Sequence, residues 1–390
     1  MKKSLFFLLL FTLIQVGTAQ EITLSNQAKI SVLTIAPGSS LNDAFGHNAF
    51  RVKDPVNFLD VTYDFGRYDF DAPNFYLNFA RGKLNYSIGK EDYNTFLSYY
   101  IRTNRTVREQ VLNLSQTNKQ RLYNDLVINN KPENREYLYD FFYNNCATKI
   151  KDLVNNTFPY QVKYHEPDDF EPKTFRALIH DKVGLNTWGS LGIDIALGSV
   201  IDIKATPVQH MFLPSYIYRF FTEATIPGDQ PLVTSSEVIF QEKKVKAANT
   251  FFTSPLFIFG LLGSFVLFIT YQDSKTGNRS KWLDFILFAL TGLVGIGILL
   301  LWFATDHSAT HQNYNLLWGF ALNILMLSVI LREKIKPWFR SYVKFLIIIL
   351  CLLILHWLIG VQVFAVGLIP LLVALFVRYI YLVRHLKSPR

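Results

Sequence analysis

Five long apolar runs fill the last third of the chain and constrain its fold more than any other feature. They occupy residues 255–271, 283–304, 315–331, 342–360 and 363–383. A helix needs about 20 predominantly apolar residues to cross the hydrocarbon core of a bilayer. The first and third runs are at the short end of that range but contain no ionisable residue. The sequence therefore predicts a membrane domain of five helical spans over residues 251–390.

The first 20 residues have the layout of a secretory signal peptide. A short basic start, "MKK", precedes the apolar run "SLFFLLLFTLIQV", and small residues follow at Gly17 and Ala19. This layout predicts cleavage after Ala19 or Gln20. The alternative is a first membrane anchor, for which the apolar run is short.

The placement of Lys and Arg between the apolar runs predicts the topology. An exported N-terminal segment requires the first span to run inward, and basic residues then collect in the cytoplasmic loops. The loop after the second run has no Lys or Arg, whereas the loops after the first and third runs and the C-terminus are basic. The pattern predicts a multi-pass protein of the inner (cytoplasmic) membrane, with residues 21–250 in the periplasm and the C-terminus in the cytoplasm.

The formal charge of +9 does not indicate a nucleic-acid partner. Residues 21–250 contain 25 Lys and Arg against 26 Asp and Glu, so the exported segment is close to neutral. The excess of positive charge lies in the signal peptide and the cytoplasmic loops. Because a nucleic-acid-binding domain needs a basic face of its own, no such partner is expected.

The exported segment, residues 21–250, is long enough for one sizeable core and has a mixed α and β pattern. The sequences "AKISVLTIAPG", "NAFRVKD", "FLDVTYDFGRYDF" and "VREQVLNLS" are typical of strands. Residues 91–104 have helical periodicity, and Ser115 is a good cap for a second helix. A further helix is predicted from near Asn145 to about Asn156. The predicted class is α+β.

Cys146 is the only cysteine in the exported segment, because Cys351 lies inside the fourth apolar run. An Asn at 144 or 145 would cap the following helix and place the thiol in its first turn. There the helix dipole and free N–H groups stabilise a thiolate. Cys146 is therefore either a nucleophile or a buried structural cysteine that behaves as a small hydrophobe.

A nucleophilic cysteine needs a base, usually a histidine brought close by folding. The exported segment has histidines at 47, 165, 180 and 210. His47 is the best candidate, because it precedes an apolar strand and follows Gly46, which permits close approach to the ring. The other three fit solvated or packed positions better.

These motifs resemble those of a known family. The sequence "FGHNAFRV", followed about a hundred residues later by "NNCAT", resembles the circularly permuted papain-like (NlpC-type) fold, as in lecithin:retinol acyltransferase-like proteins. Over nearly its full length the chain is more specifically similar to the Lnb-type lipoprotein N-acyltransferases. The segments that carry this resemblance are "GSSLNDAFGHNAFRV", "VTYDFGRYDF", "REYLYDFFYNNCATKI", "GSVIDIKATPVQHMFLPSY" and "HSATHQNYNLLWG".

The resemblance implies a role for each matching residue. Cys146 is expected to be the nucleophile and His47 the general base. Strand alternation in "VTYDFG" would let Asp64 face the site, where the family has a polar residue that orients the imidazole. Asp64 could equally be a surface or turn carboxylate. Asn145 either supports the site or only caps the helix.

The exported loop at 305–318, "TDHSATHQNYNLLW", forms a polar cluster beside the membrane. Its substrate-facing or lipid-facing candidates are His307, His311, Asn313 and Asn315. With one carboxylate, Asp306, the two histidines make a thin ligand set for a metal, and no metal is predicted. The loop is either a hydrated connector with an interfacial tryptophan or a surface that receives the acyl donor or acceptor.

The residues and the resemblance together predict thiol-mediated acyl transfer at the outer face of the inner membrane. The implied partners are a membrane phospholipid or other lipid acyl donor and a diacylated lipoprotein acceptor, and no cofactor is expected. The first alternative is a membrane-anchored cell-wall cysteine peptidase or amidase with the same dyad. The second is a non-enzymatic membrane assembly or sensing protein with an inert cysteine.

Overall fold

The computed structural model describes residues 22–159, 161–244 and 250–387. The signal peptide predicted at residues 1–20 lies outside the described residues, and it stays a prediction. The described chain has a sheet-containing N-terminal part and a helical C-terminal part that begins at Pro255. This division confirms the α+β class of the N-terminal part and the helical character of the C-terminal part. The circularly permuted papain-like arrangement stays a prediction.

The described residues of the N-terminal part form nine strands, and seven of them make one antiparallel sheet. In chain order the strands are β1 (Lys29–Ile35), β2 (His47–Asp54), β3 (Leu59–Arg67), β4 (Asn85–Asp92), β5 (Val107–Leu112), β6 (Glu136–Leu138), β7 (Thr225–Ile226), β8 (Gln230–Pro231) and β9 (Val233–Phe240). The order across the sheet is β6-β4-β3-β2-β1-β5-β9, and β7 pairs with β8 in a separate ribbon. The four strands predicted from the sequence are β1, β2, β3 and β5.

The described residues also form thirteen α-helices. In the N-terminal part they are α1 (Phe75–Ala80), α2 (Tyr93–Arg102), α3 (Gln116–Asn129), α4 (Cys146–Thr157), α5 (Phe175–Val183), α6 (Trp188–Ala196), α7 (Pro207–His210) and α8 (Pro214–Glu223). In the C-terminal part they are α9 (Pro255–Thr276), α10 (Lys281–Phe303), α11 (Leu327–Ile330), α12 (Pro337–Leu358) and α13 (Ile369–His385). The predicted helices at 91–104, after Ser115 and after Asn145 correspond to α2, α3 and α4.

The alternation of β2 divides the core between the two faces of the sheet. Phe50 and Val52 are fully buried in the main core, which also holds Ile150 of α4. Ala49 points to the opposite face, where Phe96 and its neighbours on α2 form a smaller core. Because successive side chains of a strand point to opposite faces, one strand supports both layers. The sheet is therefore held between α4 and α2, with β2 at its centre.

Four segments of the C-terminal part are long and apolar enough to cross a membrane. They are Pro255–Thr276, Lys281–Phe303, Pro337–Leu358 and Val366–His385. They correspond to the first, second, fourth and fifth spans predicted from the sequence. The described helices therefore agree with four of the five predicted spans.

The third predicted span, 315–331, is not a continuous α-helix. Tyr314–Leu317 and Ala321–Met326 are 3₁₀ segments, and only α11 at the end is α-helical. The backbone at Gly319 lies against α10, where a Cβ at Gly295 would come within 2.1 Å of the Gly319 carbonyl oxygen. Asn323 donates to Thr291 of α10 (2.8 Å) and accepts from the Tyr342 hydroxyl (2.5 Å). This tight packing and these polar contacts hold the segment in an irregular conformation.

Buried charges join three of the long helices. Arg378 of α13 is fully buried and bonds Asp273 of α9 (2.6 Å) and Asp284 of α10 (2.7 Å). An unpaired charge inside a membrane is expensive, so such residues are normally paired. The sequence predicts the fifth apolar run as a plain span, whereas in the structure its arginine ties α13 to α9 and α10.

Candidate active site

Cys146 is the first residue of α4, and the helix start is fixed by Asn145. The Asn145 side chain accepts from the Thr148 N–H (2.9 Å), while the Thr148 hydroxyl accepts from the Asn145 N–H (2.8 Å). This reciprocal pair is a capping box, in which the side chain before the helix binds the backbone N–H of the third helical residue. The backbone N–H groups of Cys146 and Ala147 belong to the first turn of α4, where N–H groups have no carbonyl partner within the helix. The thiol therefore lies where the backbone favours negative charge.

His47 and Asp64 meet on one face of the sheet. Asp64 of β3 is paired with Ala49 of β2, two residues along from His47. Side chains at such diagonal positions on one face of a sheet are within reach of each other. The His47 Nε2 atom lies 3.1 Å from Asp64 Oδ2. Strand alternation predicted this orientation of Asp64, and the surface alternative does not hold because Asp64 is buried.

Arg67 holds the second oxygen of Asp64. The Arg67 Nε and Nη2 atoms lie 2.7 and 2.6 Å from Asp64 Oδ1. The register between β3 and β4 shifts between Phe65 and Arg67, and Gly66 has a φ of 97°. A bulge of this kind re-aims the neighbouring side chains. It also brings the backbone of Gly66 next to Cys146, since a Cβ on Gly66 would lie 4.0 Å from the Cys146 Cβ.

The thiol and the imidazole stabilise each other in their charged forms. Burial would lower the pKa of His47, but Tyr100, Cys146 and Asp64 together raise that pKa well above its ordinary value. Burial would raise the pKa of Cys146, but the charge and hydrogen bond of His47 and the Asn48 backbone N–H lower it. Both directions favour a thiolate beside an imidazolium. A thiolate is the reactive form of cysteine.

Asp64 remains a carboxylate next to this pair. Burial opposes its charge, but the hydrogen bond and charge of His47, followed by those of Arg67, lower the pKa of Asp64. Because its Nε2 faces Asp64, His47 has Nδ1 left for the thiol. The carboxylate can thus fix the ring orientation and stabilise the imidazolium.

The other three histidines of the N-terminal part have different surroundings. His210 is buried and bonds the Lys173 N–H (3.1 Å) and the Thr206 carbonyl (2.8 Å). His180 bonds Asp194 (2.9 Å), and His165 is an exposed neighbour of Thr225. These positions agree with the packed or solvated roles predicted for them.

A cavity of about 760 Å³ opens in front of Cys146, His47 and Asp64. Most of its remaining wall is aromatic or aliphatic. The aromatic residues include Tyr68, Phe70, Phe75, Tyr76, Phe79, Tyr86, Tyr99, Tyr100 and Tyr139. Residues 306–309 of the C-terminal part close one side. The cavity is therefore formed jointly by the sheet-containing part and by the loop after α10.

The exported loop reaches the cavity at His307 and Ser308. The His307 Nε2 atom lies 3.0 Å from the Phe79 carbonyl oxygen, and the Ser308 hydroxyl donates to Asp140 (2.6 Å). The Asp306 N–H also donates to the Arg81 carbonyl (2.9 Å). His307 therefore occupies the wall of the cavity, as the substrate-facing prediction requires, although its role stays a prediction.

The structure gives the remaining loop candidates different positions. Asn313 and Asn315 are fully buried, and their amides donate to the carbonyls of Ile195 and Asp194 at the end of α6, both at 2.8 Å. They hold the two parts together, so the expectation that they face a lipid or substrate is corrected. His311 is exposed, and its backbone carbonyl lies against Gly198 of the N-terminal part.

Asn145 lines the cavity but is fully used as a structural residue. Its amide donates to the carbonyls of Phe141 (2.7 Å) and Phe212 (2.8 Å), in addition to the cap. These bonds favour the capping interpretation over a direct contact with substrate.

Comparison with protein families identifies the chain. The model described as the Lnb N-terminal periplasmic domain matches residues 18–181, and the model described as the Lnb transmembrane domain matches residues 246–389. The chain belongs to the Lnb family. The match to both domains in order supports an inner-membrane protein with a periplasmic N-terminal domain. No curated protein and no solved structure matches the chain.

Lnb membership indicates a function related to lipoprotein N-acylation, in an acyltransferase with lipid and lipoprotein partners. The roles of individual residues stay predictions. Among residues 22–159, 161–244 and 250–387, no three His, Cys, Asp or Glu side chains are grouped to hold a metal ion. His307 and His311 are thus not part of such a group.

Two features of this Lnb protein's cavity were not predicted from the sequence. Arg67 lies three residues after Asp64 in "DFGR", directly after a glycine. This spacing was the signal that could have indicated an arginine beside the carboxylate. The aromatic run "YDFDAPNFYLNFARGKLNY", residues 68–86, was not recognised as part of the site. Its density of aromatic residues was the available signal, because clustered exposed aromatics usually mark contact with a ligand, a partner or a membrane.

Proposed function

We propose that this protein moves a fatty acyl chain from a lipid ester through a Cys146 thioester to the α-amine of a diacylglyceryl-cysteine lipoprotein. The observation that carries the proposal is the joint cavity, in which the Cys146–His47–Asp64 group faces aromatic walls and the loop from the membrane part. A thiolate held by an imidazolium suits acyl transfer. An apolar wall beside the membrane suits a lipid donor.

The first half of the proposed reaction acylates Cys146. The thiolate attacks the ester carbonyl carbon, and the backbone N–H of Cys146 at the start of α4 would stabilise the oxyanion. When the C–O bond breaks, the leaving alkoxide of the lyso-lipid takes a proton from the His47 imidazolium. The chain is then held as a thioester on Cys146, and His47 is neutral.

The second half transfers the chain to the lipoprotein. The neutral α-amine attacks the thioester carbonyl, and His47 accepts the proton that the nitrogen loses. The C–S bond breaks, so the product is an amide and the Cys146 thiolate is restored beside imidazolium. Asp64 would orient the ring through both halves, and Arg67 would hold Asp64.

We also propose that the segment 314–330 crosses the membrane as the third of five spans, so that the C-terminus is cytoplasmic. The Tyr314 N–H bonds Gln362 (2.8 Å) beside the exported loops, whereas the Ile330 carbonyl bonds Arg279 (2.5 Å) in the turn between α9 and α10. Ten residues in 3₁₀ geometry at about 2.0 Å each and the four of α11 at about 1.5 Å each cover roughly 26 Å, and residues 318–320 supply the rest of the roughly 30 Å of hydrocarbon. The 3₁₀ conformation thus makes a short segment long enough.

The permuted papain-like arrangement fits the same proposal. The histidine strand β2 precedes the cysteine helix α4 in the chain, and α4 packs against the sheet next to that strand. This order agrees with the resemblance seen in the sequence.

The test uses the full chain in proteoliposomes with phospholipid and a synthetic diacylated lipopeptide. We expect an N-acylated lipopeptide by mass spectrometry with the native protein and none with Cys146→Ala at equal abundance. N-acylation by Cys146→Ala would refute the proposal. Cleavage of muropeptides without lipid dependence would instead support the cell-wall peptidase alternative.

A further inference from the structure

We infer that the aromatic segment 68–86, together with loop residues 306–309, forms the binding groove for the hydrocarbon chain of the acyl donor. The groove would guide that chain from the membrane surface to Cys146. This inference rests on the proposed function and assigns the residues that contact the apolar part of the substrate.

The thiol end of the groove is a stack of tyrosines. Tyr139 lines the cavity with Cys146, and burial and then the Cys146 charge raise the pKa of its phenol. The Tyr139 ring stacks on Tyr86 with centroids 4.3 Å apart, and Tyr86 contacts Tyr68 at 5.1 Å. A continuous aromatic surface therefore begins beside the nucleophile.

The same surface continues to the loop from the membrane part. Tyr68 stacks on Phe75 (6.0 Å), Phe75 contacts Phe79 (6.4 Å), and Phe79 contacts the His307 ring (6.4 Å). These centroid separations are typical of interacting aromatic pairs. The aromatic wall thus runs without a break from the site of chemistry to residue 307.

The segment is not part of a protein core. No residue of α1 is buried, and Tyr76, Leu77 and Phe79 are 74%, 55% and 50% exposed. A soluble domain rarely leaves adjoining apolar side chains uncovered unless they contact a ligand, a partner or a membrane. Because Phe75, Tyr76 and Phe79 also line the reactive cavity, a ligand chain is the occupant that explains both observations.

The outer end of the groove lies at the level of the membrane surface. The loop begins directly after α10, whose last residues, Trp302 and Phe303, stack at 4.9 Å. Aromatic residues at the end of a span are typical of the membrane–water interface. Gly82 permits the close contact between segment 68–86 and the loop, since a Cβ there would come within 2.7 Å of the backbone nitrogen of His307. A chain that leaves the bilayer at this point would pass the contact between Phe79 and His307.

The cavity also has a suitable size and chemistry for a lipid chain. Its volume of about 760 Å³ lies in the usual range for small-molecule sites, roughly 300–1,000 Å³. A peptide substrate would need polar partners along its backbone. The wall between Tyr139 and Phe79 is formed mainly by aromatic rings, which suit methylene groups.

The decisive experiment separates chain binding from thiol chemistry. Phe75→Ala and Phe79→Ala are compared with the native protein in two assays: acylation of Cys146 from phospholipid and labelling of Cys146 by iodoacetamide. Phe252→Ala is the matched control, because Phe252 is a 65% exposed aromatic next to α9 and outside the cavity. We expect acylation to slow about tenfold in both groove variants. Iodoacetamide labelling and the control should stay within about twofold of the native protein.

Unchanged acylation in both groove variants would overturn the inference, and so would an equal loss in both assays. If the native protein forms no acyl-Cys146, the proposed function fails instead. The groove is then tested alone with a phosphatidylcholine that carries a diazirine in its chain. Crosslinks within 68–86 or 306–309 would support the groove, and crosslinks confined to the long membrane helices would overturn it.

Discussion

At the residue scale, His47 is the main group that lowers the pKa of Cys146. A helix N-terminus favours a nearby negative charge by about 0.3–1 kcal/mol at exposed sites. Burial of the thiol opposes this effect, and the lowered pKa of Cys146 is due chiefly to the charge and hydrogen bond of His47. The thiolate should therefore depend on the imidazolium.

Replacing His47 by alanine should raise the pKa of Cys146. In the native protein the thiolate persists as the pH falls below the ordinary cysteine pKa, and it is lost only when the pH passes through the lowered value. Without the imidazolium, burial makes the thiol a weaker acid. Iodoacetamide labelling of His47→Ala at pH 7 should fall by about tenfold or more and recover at high pH. A pH profile identical to that of the native protein would contradict the ion pair.

Asp64 acts on Cys146 in two opposing ways, because its charge raises the pKa of the thiol directly and also stabilises the imidazolium that lowers this pKa. We expect the effect through His47 to be the larger one. Asp64→Asn removes the carboxylate that stabilises the imidazolium, so the pKa of His47 should fall and that of Cys146 should rise. Arg67→Gln leaves the carboxylate in place and should have a smaller effect. The pH profiles of labelling should therefore shift least for Arg67→Gln, more for Asp64→Asn and most for His47→Ala. An Asp64→Asn profile that matches the native one would remove Asp64 from the site.

At the scale of elements, the end of α6 is the joint between the two parts. A helix leaves its last carbonyls without intrahelical partners. Here Asn313 bonds the carbonyls of Ile195 (2.8 Å) and Ala196 (3.0 Å), and the Gly198 N–H bonds the Ala309 carbonyl (2.9 Å). The joint lies close to residues 306–309, which line the cavity. Its integrity should therefore matter for activity.

Gly198→Ala should disrupt this joint. A Cβ at residue 198 would lie 1.8 Å from the His311 carbonyl oxygen, so the loop has to move away. Gly192→Ala is the matched control, since a Cβ at that position of α6 meets nothing within 4 Å. We expect the control to retain activity and Gly198→Ala to lose most N-acylation. Equal behaviour of the two variants would contradict the role of the joint.

The elements that could be predicted are those with local signals. Alternating apolar residues marked β1, β2 and β5, and the caps at Ser115 and Asn145 marked α3 and α4. β9 was missed because its pairing partner, β5, lies more than a hundred residues earlier. The third span was predicted as a helix because apolar composition does not report the close packing of Gly295 against Gly319.

At the scale of the whole molecule, neither part contains the complete cavity. The thiol, imidazole and carboxylate come from the sheet-containing part, and residues 306–309 come from the membrane part. The local signals made Cys146 and His47 candidates, but it was the family resemblance that implied their meeting with Asp64. The aromatic wall and its contact with His307 depend on how the two parts dock, which no local pattern records.

Exchange of the membrane part should consequently abolish acyl transfer. A chimera that joins residues 1–250 to an unrelated single-span anchor keeps Cys146 at the membrane but lacks the loop. We expect iodoacetamide to label its Cys146, whereas N-acylation should be lost. Retained N-acylation would reduce the spans to a tether, and loss of labelling would show that the N-terminal part needs the membrane part to fold.

The central claim is that Cys146 carries the acyl chain, and intact-protein mass spectrometry tests it most directly. The full chain is incubated with phospholipid in the absence of lipoprotein. We predict an added mass of one fatty acyl group on Cys146, which hydroxylamine removes and which Cys146→Ala never acquires. Addition of a diacylated lipopeptide should discharge the adduct and yield N-acylated product. N-acylation without any adduct, and undiminished in Cys146→Ala, would contradict the account.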